Sequence, residues 1–316
     1  MRIAAALLGL ALSAGAAHAV VPDREVSRSM SLGGSCTKCE FSGRVMTNAT
    51  FTGGNFAGAS LVNADLRGAK MHGVRFPGAD FSRADLRGVE AHGANFSGAN
   101  FSRALLEGIE THGSNFSSAN LNSARMKAAT LVHINLSGAI LSRADLRQTE
   151  LIGANLSGVQ AIGTNFGDAE LHHANMSGGQ FDRASFRNAE LNGSNLTGAD
   201  FSGADLRNAE LEHANIRGAN LSSARGLTQD QLDQACGDNS TALPRGLVVK
   251  ACGRRHVVTR TRTTTHDGKS VTVITLPDGR TKVIQIPNVQ VHMVPPPPPK
   301  PPRAPKPPRP AEPELY

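Results

Sequence analysis

The chain has 316 residues, of which 4% are aromatic with no tryptophan and a single tyrosine, and it carries a formal charge of +7. Residues 41–225 hold 16 basic and 16 acidic side chains, whereas residues 226–316 hold 13 against 7. The length admits two ordinary domains, the neutral middle excludes a polyanion-like surface there, and the basic character belongs to the C-terminal part.

Residues 1–19 read as a secretory signal peptide. Arg2 supplies the charged start, Ile3 to Leu12 an apolar run too short to span a bilayer, and Ala17-His18-Ala19 a small-residue cleavage site. Cleavage after Ala19 and a periplasmic or secreted mature protein are expected, in a compartment where disulfides persist. No transmembrane span is expected elsewhere. Residues 20–35 form an N-terminal segment without a pattern of their own.

Residues 36–225 repeat one five-residue phrase, seen most clearly in Phe81 to Asn100, FSRADLRGVEAHGANFSGAN. Each phrase has an apolar centre and a small residue two places earlier, such as Ala84 before Leu86 and Ala94 before Phe96. Residues two apart in extended chain face the same way, so both point inward. The next centre lies five places on, and five is odd, so the chain must bend once per phrase. A second period of 20 lies over the first: Phe101 to Asn120, Leu141 to Gln160 and Phe201 to Asn220 restate the unit. Four phrases per turn predict a four-sided coil whose turns stack in parallel about 4.8 Å apart. All twelve phenylalanines occupy centres. Where a centre is small, the inward residue before it is large, as in Val89 with Ala91, Ile109 with Thr111 and Val159 with Ala161, which conserves core volume.

This tandem A(D/N)LXX pattern resembles the pentapeptide-repeat family. The resemblance implies an all-β fold, a right-handed quadrilateral parallel β-helix. It implies little about activity, because members range from topoisomerase-protecting DNA mimics to proteins with no known role.

The repeat gives way to residues 226–255. Thr228 with Gln231 forms a capping box and Leu227 with Leu232 a hydrophobic staple, so a short helix running to about Ala235 is expected to cover the last coil. Of the four cysteines, Cys36 and Cys39 lie at one end of the rod and Cys236 and Cys252 past the other. Bridged Cα atoms lie within about 7 Å, which leaves Cys36–Cys39 and Cys236–Cys252; the C-x-x-C spacing of Cys36 and Cys39 also suits a redox or metal pair, but no thioredoxin-like pattern surrounds it and a bridge sealing the end is expected. The stretch Cys236 to Cys252 resembles a terminal cassette found after the repeats in some secreted bacterial members of the family. Residues 256–294 change to period two: Val257 to Thr265, Val271 to Leu276 and Thr281 to Ile286 are β-branched runs separated by Asp-Gly turns, a small β-meander. Such a meander is stable when packed on the cap or on a second copy, which makes a homodimer through the C-terminal region an expectation. Residues 295–316 hold 12 of the 17 prolines interleaved with Lys300, Arg303, Lys306 and Arg309. They read as a disordered polyproline II tail, a cationic arm suited to an anionic cell-envelope surface or a protein partner.

Residues 20 apart stack on the rod's outer columns. His72, His92 and His112, flanked by Glu90 and Glu110, form a ladder that could hold a divalent metal or respond to protonation. Glu150, Glu170, Glu190 and Glu210 form an acidic column whose charge Arg147, Arg187 and Arg207 are expected to compensate. Asn95, Asn115, Asn135, Asn155, Asn175, Asn195 and Asn215 are expected to hydrogen-bond along the rod. A topoisomerase-protecting DNA mimic would need a strongly negative rod, so no nucleic-acid role is expected. No zinc-protease, P-loop or nucleophile-elbow motif occurs, and neither enzyme activity nor a cofactor is expected.

Overall fold

Five backbone N–H groups per phrase decide this fold, and the phrase Ala79 to Arg83 shows where each one goes. Ala79 N–H closes a turn onto the Phe76 carbonyl (3.2 Å); Asp80 N–H reaches back one coil to Ala59 (2.8 Å); Phe81 and Arg83 N–H reach forward one coil to Asn100 (2.7 Å) and Ser102 (3.0 Å). Only Ser82 N–H has no backbone acceptor, and the Asp80 carboxylate takes it (2.8 Å). That orphan donor is the physical reason for Asp or Asn before the centre, since a buried or half-buried backbone group left unpaired is costly. The bend comes two residues after the centre, where Arg83 has φ 58° and Gly88 φ 64°.

The computed structural model describes residues 31–253, 260–266, 269–275 and 281–286. The expected signal peptide and the proline-rich tail with Lys300, Arg303, Lys306 and Arg309 lie outside these, as do both expected Asp-Gly turns.

The repeat is a right-handed quadrilateral parallel β-helix. Successive coils join through parallel bridges between residues 20 apart, such as Asp80 with Asn100 and Asn100 with Asn120. At a few sides the bridges lengthen into strands: β1 (Ser31–Ser35), β2 (Thr50–Asn55) and β3 (Lys70–His72) pair in that order, and β4 (Glu110–His112) pairs with β5 (Thr130–Val132). Centres and the residues two before them form one continuous core from Met46 to Ala235. Eleven of the twelve phenylalanines are fully buried and Phe41 partly so. They stack in columns, Phe56–Phe76 at 4.9 Å and Phe81–Phe101 at 4.7 Å between ring centroids, with a second set at Phe166–Phe186 (4.9 Å). Leucines from Leu121 to Leu156 fill the middle of the rod.

Each end is finished differently. Cys36 and Cys39 are bridged with Cα atoms 5.6 Å apart and pack against the first core residues. At the far end, α1 (Gln229–Gln234) carries the capping box between Thr228 and Gln231. The Gln231 amide then donates to the Leu206 (2.9 Å) and Ala209 (2.7 Å) carbonyls of the last coil. The helix does not close the rod by itself, contrary to expectation. The segment after it extends the ladder on two other sides, pairing Cys236 with Asn215 and Ala242 with Asn220, and a second bridge joins Cys236 to Cys252 at 4.5 Å between Cα atoms. Three sides of a coil remain to be covered after the repeat stops, and six helical residues cannot span them.

The residues after Gly253 form a separate compact unit. In it β6 (Arg260–His266), β7 (Lys269–Thr275) and β8 (Thr281–Ile286) make an antiparallel sheet in sequence order, with His266 opposite Lys269 and Thr275 opposite Thr281.

Candidate interaction faces

The four sides of the rod carry four different chemistries, because the outward residues of each phrase stack with those 20 places away. One side holds the asparagine column. Each Asn oxygen accepts the backbone N–H two residues on, as in Asn95 with Ser97 (3.0 Å) and Asn135 with Ser137 (3.1 Å). Each amide nitrogen donates to the oxygen one coil back, from Asn115 to Asn95 (3.4 Å) through Asn195 to Asn175 (3.2 Å). Between Asn95 and Gly198 the outward residues of this side are Asn, Ser, Thr and Gly alone, a flat strip without charge.

The opposite side, two phrases away, carries Asp–Arg pairs two residues apart. Asp85 accepts the Arg87 Nε (2.8 Å) and Nη2 (2.5 Å), and Asp65–Arg67, Asp145–Arg147 and Asp205–Arg207 repeat the arrangement. The guanidinium beside each of these four carboxyls holds it below the ordinary aspartate range. This corrects the expected charge compensation: Arg147 and Arg207 answer Asp145 and Asp205, not the glutamates. The spacing D-x-R was the signal for it, since residues two apart point the same way. Arg187 has Ser185 at the aspartate position and forms no ion pair among the described residues.

A third side displays Arg83, Arg103, Arg143 and Arg183 at the left-handed corners. The first three, with Asn100, Asn120 and Ser102, line an open polar depression of about 380 Å³. None of the four makes an ion pair among the described residues. Repetition of the phrase hid this column from sequence reading, because arginine recurs there in only some coils.

The fourth side gathers all seven histidines of residues 41–225: His72, His92, His112 and His172 follow the centres, and His133, His173 and His213 stand at the corners. Seven glutamates share this side with one basic residue, Lys70. The expected ladder of His72, His92 and His112 is present as a stack, with ring centroids 5.1 Å and 4.9 Å apart. Glu90 takes Lys70 (3.2 Å) and lies 3.7 Å from His72. The His172 Nε2 lies 2.6 Å from a Glu190 carboxylate oxygen, so a histidine also lies against this acidic column. Among the described residues no group of three or more His, Cys, Asp or Glu is arranged to hold a metal ion. The five residues His72, His92, His112, Glu90 and Glu110 share a side, and no three of them are placed to hold a metal ion together. Among the described residues, too, no helix is long and apolar enough to cross a membrane.

Comparison with known proteins agrees with this architecture. The family model described as pentapeptide repeats matches in eight copies, with matched stretches running from residue 45 to residue 222. HetL, a pentapeptide repeat protein involved in heterocyst differentiation regulation in the cyanobacterium Nostoc, is 28% identical with a TM-score of 0.59, covering 64% of this chain and 91% of its own. A pentapeptide repeat protein of the Arabidopsis thaliana thylakoid lumen is 31% identical over 36% of this chain and 81% of its own (TM-score 0.34). Full-length QnrB1, a plasmid-mediated fluoroquinolone resistance protein, is 20% identical over 67% of this chain and 94% of its own (TM-score 0.30). No curated protein sequence matches the chain. With the family model covering more than half the residues and the observed coil built on the same five-residue phrase, the chain belongs to the pentapeptide-repeat family.

Proposed function

We propose that this protein is a non-enzymatic, exported interaction scaffold, a rigid rod whose cationic proline arm, with Lys300, Arg303, Lys306 and Arg309, engages an anionic envelope surface or a protein partner. The observation that carries this reading is the segregation of chemistry by side. An uncharged Asn/Ser strip, paired Asp–Arg, a column of corner arginines and a Glu/His strip each run over several coils, which suits recognition over an extended surface better than turnover in an enclosed cavity. The two disulfides fit an oxidising compartment. A DNA mimic is opposed by the arginines of two sides, which break any continuous negative surface.

In-cell crosslinking read by mass spectrometry tests it, comparing the full chain with a version ending at Val294. Specific envelope components or proteins lost with the arm support the proposal. Identical profiles for the two versions remove the arm as the contact and overturn this reading.

A further inference from the structure

The side with the histidines holds one pair that departs from its own repeat. Three outward residues that follow the centre on this side lie against the glutamate 18 residues later on the next coil: Asn192 donates to Glu210 (2.7 Å), His172 lies 2.6 Å from Glu190 and His72 3.7 Å from Glu90. His92 has Glu110 at the same offset and makes no ion pair with it. Its Nδ1 instead lies 3.1 Å from the Nδ1 of His112. Glu110 is left without an ion pair among the described residues, while Lys70 and His72 lie against Glu90 one coil away.

We infer that His92 and His112 form a two-imidazole chelating pair for a transition-metal dication. A bond of about 2.0–2.1 Å from metal to imidazole nitrogen puts two such nitrogens about 2.9 Å apart at a right angle and about 3.4 Å apart at the tetrahedral angle. The observed 3.1 Å lies between these two. Neighbouring coils hold the two backbones in parallel register, Glu110 of β4 bridging Glu90, so the pair is preorganised on a rigid ladder. Imidazole nitrogens favour copper(II), nickel(II) or zinc(II) over magnesium or calcium. Water fills the remaining positions, since both rings reach solvent.

Titration of the full chain with copper(II) sulfate and, separately, zinc(II) sulfate, followed by calorimetry and thermal melting, tests this. The expected result is one saturable site and a raised melting temperature, both lost in His92→Gln and in His112→Gln and both kept in His172→Gln. The copper(II) complex is expected to show electron paramagnetic resonance couplings to two nitrogens. Because all three positions reach the surface, the unliganded variants are expected to melt like the parent. Absence of saturable binding, or binding that survives in both His92→Gln and His112→Gln, overturns the inference.

Discussion

Single inward hydroxyls show how narrowly this core tolerates polarity. Thr164 and Thr149 sit in the core and donate to the carbonyls of Leu141 and Leu146, each at 2.7 Å. Thr111 is equally buried, yet its hydroxyl has no partner. Thr111→Val is therefore expected to raise stability by about 1 kcal/mol, because an orphan hydroxyl is replaced by a methyl, whereas Thr164→Val is expected to lower it by a similar amount. Parallel urea melts of the two variants check this, and equal changes of the same sign would refute it. The corners give a second residue-scale prediction. Ala128 is exposed and held at φ 55°, where an L side chain crowds its own backbone. Relief of that crowding is worth about 1–2 kcal/mol, offset by the entropy of a freer unfolded chain, about 0.4–1 kcal/mol. Ala128→Gly should come out net stabilising in the same melts.

At the scale of one phrase, an aspartate before the centre works twice: it caps the orphan N–H and clamps the arginine two places on. Asp205 is nearly buried while doing so, with Arg207 over it. The folded pKa values of Asp65, Asp85, Asp145 and Asp205 are depressed chiefly by hydrogen bonds from Arg67, Arg87, Arg147 and Arg207. Their stabilisation is thus full above the unfolded aspartate value of about 3.9 and is lost as pH falls below it through the folded values. Unfolding free energy is expected to stay level in this respect from neutral pH to about 5 and to fall below about 4, with a shallower fall in Asp85→Asn. A stability profile that is flat down to pH 2 would contradict it.

For the molecule as a whole, stability depends on the two ends, since every inner coil is covered by its neighbours. The C-terminal finish is built from α1, the ladder extension and the Cys236–Cys252 bridge, which closes a loop of sequence separation 16. Replacing both cysteines with serine is expected to cost about 3 kcal/mol, with fraying that begins at the C-terminal coils. Hydrogen exchange would show protection lost first near Leu206 to Leu221, and uniform loss along the rod would count against this account. The Cys36–Cys39 bridge spans only three residues and is expected to matter much less.

The coil, its inward register and the Asn ladder were legible in the sequence because each follows from a strictly local rule. Extended residues alternate sides, five is odd, and four bends close a turn, so a fixed period carries the fold without long-range information. The partners of outward side chains were not legible, because each lies within reach of several neighbours: two residues along, 18 away or 20 away. Arg147 chose Asp145, and His92 turned to His112 although its repeat equivalents take a glutamate. Only the stacked coils, which set those distances against one another, decided which contact wins. The same holds for the C-terminal finish, where the sequence foretold a helix and the three-dimensional coil required the cassette as well.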